Sequence, residues 1–131
     1  MTDKVVDASA VAALLFNELA RDSVVERLRD ASLFAPNLIA FEVANVCLKK
    51  IRAAHSQRPA LLEAFSLLSE LSITFESIDL REAISLAERT KLTVYDASYL
   101  WLALTLGVEL VTLDAKLAQA DAAMRGLIGR R

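Results

Sequence analysis

Short β-branched runs alternate along this chain with longer stretches of helical periodicity. Lys4-Val5-Val6 predicts a brief strand, and Ala8 to Leu19, rich in Ala and Leu, predicts a helix after it. Asp22 is placed to cap a second helix running to about Asp30, and Leu33-Phe34-Ala35 predicts a strand closed by Pro36. The longest helix runs from Asn37 to about Ala54, where Ile39, Val43, Val46, Cys47 and Ile51 form one apolar stripe. Ser56 and Pro59 restart a helix that continues to Leu71, and Ile73-Thr74-Phe75 predicts a third strand. Asp79 and Glu82 have capping-box spacing ahead of a helix from Leu80 to Lys91. Thr93 opens a further helix that ends at Gly107, as a C-terminal cap would. Glu109 to Leu113 predicts the last clear strand, and Ala115 to Met124 a final helix. This alternation predicts an α/β fold in three layers, α/β/α, around a mostly parallel sheet of four to five short strands.

Composition narrows the class. The 131 residues are 55% hydrophobic and 24% charged, with 15 basic against 17 acidic side chains, which argues against a disordered chain. Three glycines, two prolines and no linker-like segment predict a single domain over residues 1–131. The longest uncharged stretches, such as Ala97 to Val108, fall short of the ~20 apolar residues of a spanning helix, so no membrane association is expected. Met1-Thr2-Asp3-Lys4 opens no basic-then-apolar leader, and a lone Cys47 fits a reducing cytoplasm. A net charge of −2 neither announces nor excludes a nucleic-acid partner, because a basic track can lie on an acidic protein.

Four acids occupy telling positions in this layout. Asp7 and Asp114 stand just past the first and last clear strands, at the edge where ligand sites of open α/β sheets gather. Asp96 lies in the first turn of its helix and Glu42 in the second turn of its own. Four such groups at one edge repel one another unless a cation sits among them, and Mg²⁺ or Mn²⁺ suits carboxylate and water ligands best. Taken singly, each acid has a plainer explanation as a helix cap or a solvated helix residue. Ser9 and Thr112 each lie two residues from a site aspartate, suited to orienting it, or simply to local turn bonding. Glu42, Asn45, Lys49 and Arg52 share one helix face, which suits either a metal site continuing into a phosphate track or an ordinary solvated face. His55 falls in a break between helices and has no histidine partner, which disfavours metal-free acid–base cleavage. Cys47 reads as a small core group.

Four segments, Val5-Val6-Asp7-Ala8-Ser9-Ala10, Phe41-Glu42-Val43-Ala44-Asn45-Val46, Val94-Tyr95-Asp96-Ala97-Ser98-Tyr99 and Val111-Thr112-Leu113-Asp114, resemble in order the motifs of PIN-domain ribonucleases. The resemblance is strongest to the VapC-type toxins of toxin–antitoxin pairs and runs from Val5 to about Leu117. It implies a metal-dependent endoribonuclease, commonly a homodimer, restrained by a cognate antitoxin. Asp7, Glu42, Asp96 and Asp114 would then be the catalytic acids holding one or two Mg²⁺ or Mn²⁺ ions, with Asn45, Thr112 and Ser9 in support. Hydrolysis by metal-activated water would leave a 5′-phosphate and a 3′-hydroxyl. Transfer RNA and ribosomal RNA are the substrate types the resemblance suggests. Lys49, Arg52 and the terminal arginines are candidate phosphate contacts. Such domains usually close with an edge strand after the last helix, and here only Gly126 to Gly129 remains before Arg130-Arg131, so that strand is vestigial or absent.

Other classes compete. A haloacid-dehalogenase-like phosphatase would want an aspartate where Ser9 stands, and a receiver domain would want a lysine for which Lys116 is the one nearby candidate. The stronger rival is a non-catalytic or weakly active PIN-like interaction module that works through its antitoxin. A mean hydropathy of +0.39 is high for a small monomer, and Trp101, Leu104 and Phe65 can fill either the core or a dimer face.

Overall fold

Four short parallel strands order the fold, which the computed structural model describes for residues 2–129. β1 (Thr2–Val6) lies inside the sheet between β2 (Ala31–Pro36) and β4 (Glu109–Val111), and β3 (Thr74–Glu76) flanks β2 on the far side. Val5 pairs with Phe34 on one side and with Leu110 on the other, while Ala35 pairs with Phe75. Parallel strands need long crossovers, and helices supply them.

The first two crossovers carry α1 (Ala8–Leu15), α2 (Arg21–Arg27), α3 (Leu38–Ala53) and α4 (Arg58–Ser66), which pack on one another. The third carries α5 (Leu80–Thr90) and α6 (Val94–Leu106), and α7 (Ala115–Ile128) follows β4 and packs on α6. The chain steps from β1 to β2 to β3, then crosses back to β4. Right-handed crossovers therefore place α1–α4 on one face of the sheet and α5 and α6 on the other. The three-layer α/β/α expectation holds, with four strands.

The core joins Val5, Val6, Ala35, Val111 and Leu110 of the sheet to Val11, Ile39 and Val43 on one side and Leu100, Ala103 and Leu117 on the other. Alanines at 10, 13, 83, 87, 97 and 103 let helices approach the sheet and each other closely. Three of the four expected caps form. Thr93 Oγ1 accepts from Asp96 N at 3.1 Å, Asp79 Oδ1 from Glu82 N at 3.1 Å, and Gly107 closes α6 at φ +68. The fourth differs: Asp22 lies inside the first turn of α2, whose N-cap is Ala20 without a side-chain bond.

Other boundaries shift for local reasons. α1 stops at Leu15, not Leu19, because Asn17 turns the chain through positive φ. The segment predicted as one helix from Ser56 to Leu71 divides into a 3₁₀ turn, α4 and a second 3₁₀ segment ending at Ser72, which has φ +52. Glu82 does not complete a capping box; its Oε1 accepts from Trp101 Nε1 at 2.9 Å and ties α5 to α6. α7 runs on to Ile128, so no strand follows β4 among the described residues, and Arg130-Arg131 lie outside them. Among the described residues no helix is long and apolar enough to cross a membrane.

Leu100 is fully buried in α6 whereas Leu19 is fully exposed. Leu100→Ala should lower the unfolding free energy by about 2–5 kcal/mol, against less than about 0.5 kcal/mol for Leu19→Ala, measured by urea denaturation.

Candidate active site

Strand order reverses at β1, with β2 and β3 added on one side and β4 on the other, and because β1 and β4 run parallel their carboxyl ends lie side by side, with Asp7 N donating to Val111 O at 3.2 Å. Such a switch point opens a crevice outside the strand ends. Asp7 and Asp114 enter it directly as the N-caps of α1 and α7. Glu42 comes from the second turn of α3, which starts just past the end of β2. The start of α6 reaches the same edge, because Val94 and Tyr95 line a groove with Pro36 at the end of β2, and Tyr95 lines another with Ala8. Asp96 is in that first turn.

Asp7 is the structural centre of this edge, only 5% exposed. Its Oδ1 accepts from Ser9 Oγ at 2.7 Å and Ala10 N at 3.0 Å, and its Oδ2 accepts from Thr112 Oγ1 at 2.5 Å. The two hydroxyls spend their protons on Asp7, so each is left as an acceptor. Ser9 Oγ accepts from Leu113 N at 2.9 Å, and Thr112 Oγ1 from Asp114 N at 3.0 Å. Their own 3.4 Å approach is thus a contact between two committed donors. Two hydroxyls, read from sequence as either helpers or turn residues, therefore bind Asp7 and shape the β4–α7 loop at once.

Burial pushes Asp7 above the ordinary carboxylate range, against the pull of its bonds from Thr112, Ser9 and Ala10, and Asp114 adds repulsion. Glu42 is raised by burial and by the charges of Asp96 and Asp7, although the Tyr99 hydroxyl, 2.5 Å from Oε1, favours its ionised form. Asp96 is raised by burial and by Asp114 and Asp7, with Lys116 opposing. Asp7, Glu42 and Asp96 thus each feel the charge of at least one other acid at this edge. The electrostatic crowding expected of a cation site is present.

The donor set, carboxylate oxygens around a shared negative field, fits a hard divalent cation. Among the described residues no three of the acids are placed to hold one ion between them as they stand, so the fit is one of chemistry and charge.

The predicted α3 face divides. Glu42, Asn45 and Lys49 line one groove of about 520 Å³ together with Ala8, Leu38, Val46, Phe41 and Tyr95, and Arg52 lies beyond it. Phe41 and Tyr95 are 79% and 62% exposed, large apolar rings beside the acidic edge that periodicity alone did not single out. Tyr99 was likewise not singled out; its position three residues after Asp96, on the same side of α6, is the signal that was there to read. His55 is exposed in a 3₁₀ turn, and Cys47 is buried, its thiol donating to Leu61 O at 3.6 Å.

The chain belongs to the PIN-domain family, whose model matches residues 4–123. Within it the chain is similar to Ribonuclease VapC3 of Pyrobaculum aerophilum, 38% identical over 125 residues that cover 88% of this chain and 92% of that protein. The crystal structure of PAE2754 from the same organism superposes with a TM-score of 0.73 over 99% of this chain and 97% of that one, at 23% identity, a likeness of fold.

The raised acids carry a stability consequence with a definite sign. A carboxyl raised on folding contributes stability that is complete below its unfolded value, 3.8 for an aspartate, and lost as pH climbs through the folded value. Asp96→Asn removes one such charge, and the Asp96 carboxylate takes no hydrogen bond among the described residues. In EDTA at pH 7 this variant should therefore melt higher than the parent chain. The gap should close as the pH falls toward 4, followed by circular dichroism melts across that range.

Proposed function

We propose that this chain is a metal-dependent endoribonuclease, the toxin of a type II toxin–antitoxin pair. The observation that carries the reading is the set of four mutually repelling carboxylates at the β1/β4 switch point, one of them almost fully buried and hydrogen-bonded in place. Membership of the PIN-domain family and the likeness to a protein named a ribonuclease support it.

In this reading Asp7, Glu42 and Asp96 hold one or two Mg²⁺ or Mn²⁺ ions, and Asp114 helps to hold the second. Bound there, the ion lowers the pKa of a water and offsets charge on the phosphate and the leaving oxygen. The chain's own residues prepare that step. Ser9 and Thr112 favour the ionised form of Asp7 and fix its orientation by donating to both of its oxygens. Asn45 offers an amide to the substrate one helical turn past Glu42, and Lys49 extends the same groove as a cation for the next phosphate. The products are a 5′-phosphate and a 3′-hydroxyl.

The partners follow from the same surface. RNA, of transfer or ribosomal type, occupies the groove, and a cognate antitoxin restrains the enzyme in the cytoplasm. Exposed Phe41, Tyr95, Leu80 and Ile84, carried by α3, α6 and α5 around the rim, support association as a homodimer.

Two measurements test this function. Purified chain incubated with cellular RNA should cleave it with Mg²⁺ or Mn²⁺, and not with EDTA; Asp96→Asn should fall to the EDTA background. No cleavage in any lane by folded, partner-free protein would favour the interaction module instead. In binding to single-stranded RNA, replacing Lys49 and Arg52 by Ala should flatten the slope of log K against log salt by about 0.7 per lost phosphate contact. Unchanged affinity and slope would remove both residues from the track.

A further inference from the structure

Tyr99 joins the two helical layers through one acid of the site. Its ring is 1% exposed in α6, which packs on β1, β2 and β4, and its hydroxyl donates to Glu42 Oε1, on α3, at 2.5 Å. A buried tyrosine hydroxyl needs a partner, and here that partner is one of the four carboxylates. The ring itself is held rigidly by the core around it. Glu42 by contrast is a long, half-exposed side chain with several rotatable bonds, and this is its one hydrogen bond among the described residues.

We propose that Tyr99 is the positioning residue for Glu42: it claims Oε1 and thereby presents Oε2 to a divalent cation. The inference rests on the reading of Glu42 as a metal ligand and adds what orients it. A carboxylate that must choose among rotamers before binding an ion loses affinity, and losing such an orienting bond typically costs 10–100-fold in metal affinity.

The test is Mn²⁺ binding followed by electron paramagnetic resonance, with wild type, Tyr99→Phe, Glu42→Gln and the double variant, each confirmed folded by its melting curve. Tyr99→Phe should weaken Mn²⁺ binding by about 10–100-fold, and should cost little further once Glu42→Gln is present. A purely structural tyrosine would weaken binding equally in both backgrounds, and that result overturns the proposal. So does wild-type affinity in Tyr99→Phe while Glu42→Gln binds poorly; in that case the metal reading survives and only the positioning role falls. Absence of Mn²⁺ binding by the wild-type chain overturns both. If Tyr99→Phe proves unfolded, Tyr99→His supplies a second variant that keeps a ring donor, and its affinity should lie between those of wild type and Glu42→Gln.

Discussion

A buried carboxylate at the end of a central strand is the constraint on which the rest of this molecule turns. Asp7 gives up most of its hydration, a cost of several kcal/mol for an unpartnered ion. It is tolerable here because two hydroxyls and one amide donate to it. Those same hydroxyls accept from Leu113 N and Asp114 N. One acid therefore fixes the start of α1, the exit from β4 and the start of α7. The segment that closes the sheet and the segment that carries the last acid are set by a single hydrogen-bonded cluster. Structure and chemistry are joined at this point and cannot be varied separately.

The positive charge that would relieve the acids is committed elsewhere. Lys4 and Arg27 both reach Glu109, and Lys4 also donates to the backbone carbonyl of Arg27. Lys50 pairs with Glu18 and lies over the ring of Phe16, while Arg125 holds Asp121 and the Val108 carbonyl. Lys116 is the basic residue whose charge opposes the rise at Asp96. Lys4, Arg27, Lys50 and Arg125 are thus held by other groups, although Arg27 also reaches the Thr112 carbonyl past the end of β4, and Lys49 and Lys116 remain beside the acidic edge. Such an arrangement trades stability for a site prepared to receive charge.

Much of this was legible in the chain because local chemistry and global fold agree. Asp79, Thr93 and Gly107 cap as their residue types demand, and β-branched residues mark β1, β3 and β4, while β2 shows instead as a short apolar run closed by Pro36. The strand-then-acid spacing at Asp7 and Asp114 puts both acids at the carboxyl edge of the sheet, where they cap α1 and α7. What stayed hidden was the product of packing at a distance. Whether the helix bearing Asp96 begins at the same edge depends on how α5 and α6 fold back as a pair, which periodicity does not encode. Glu82 has the spacing of a capping partner, yet Trp101, across the helix pair, offers a better donor. Tyr99 carries no signal of its own in the sequence beyond its place three residues after Asp96, because its partner Glu42 comes from α3, far away in the chain. The early end of α1 turns on a non-glycine residue, Asn17, in a left-handed conformation, which composition does not announce.

Asp114 shows one further property of this design. Its Oδ1 caps α7 through Leu117 N, and asparagine caps a helix about as well as aspartate. An exchange that deletes the charge therefore keeps the helix. A chain so altered keeps the parent's helix and fold with one negative charge fewer at the carboxyl edge of the sheet. Charge at this edge and order in α7 are therefore separable at this one position, and a lineage can change the first while it inherits the second.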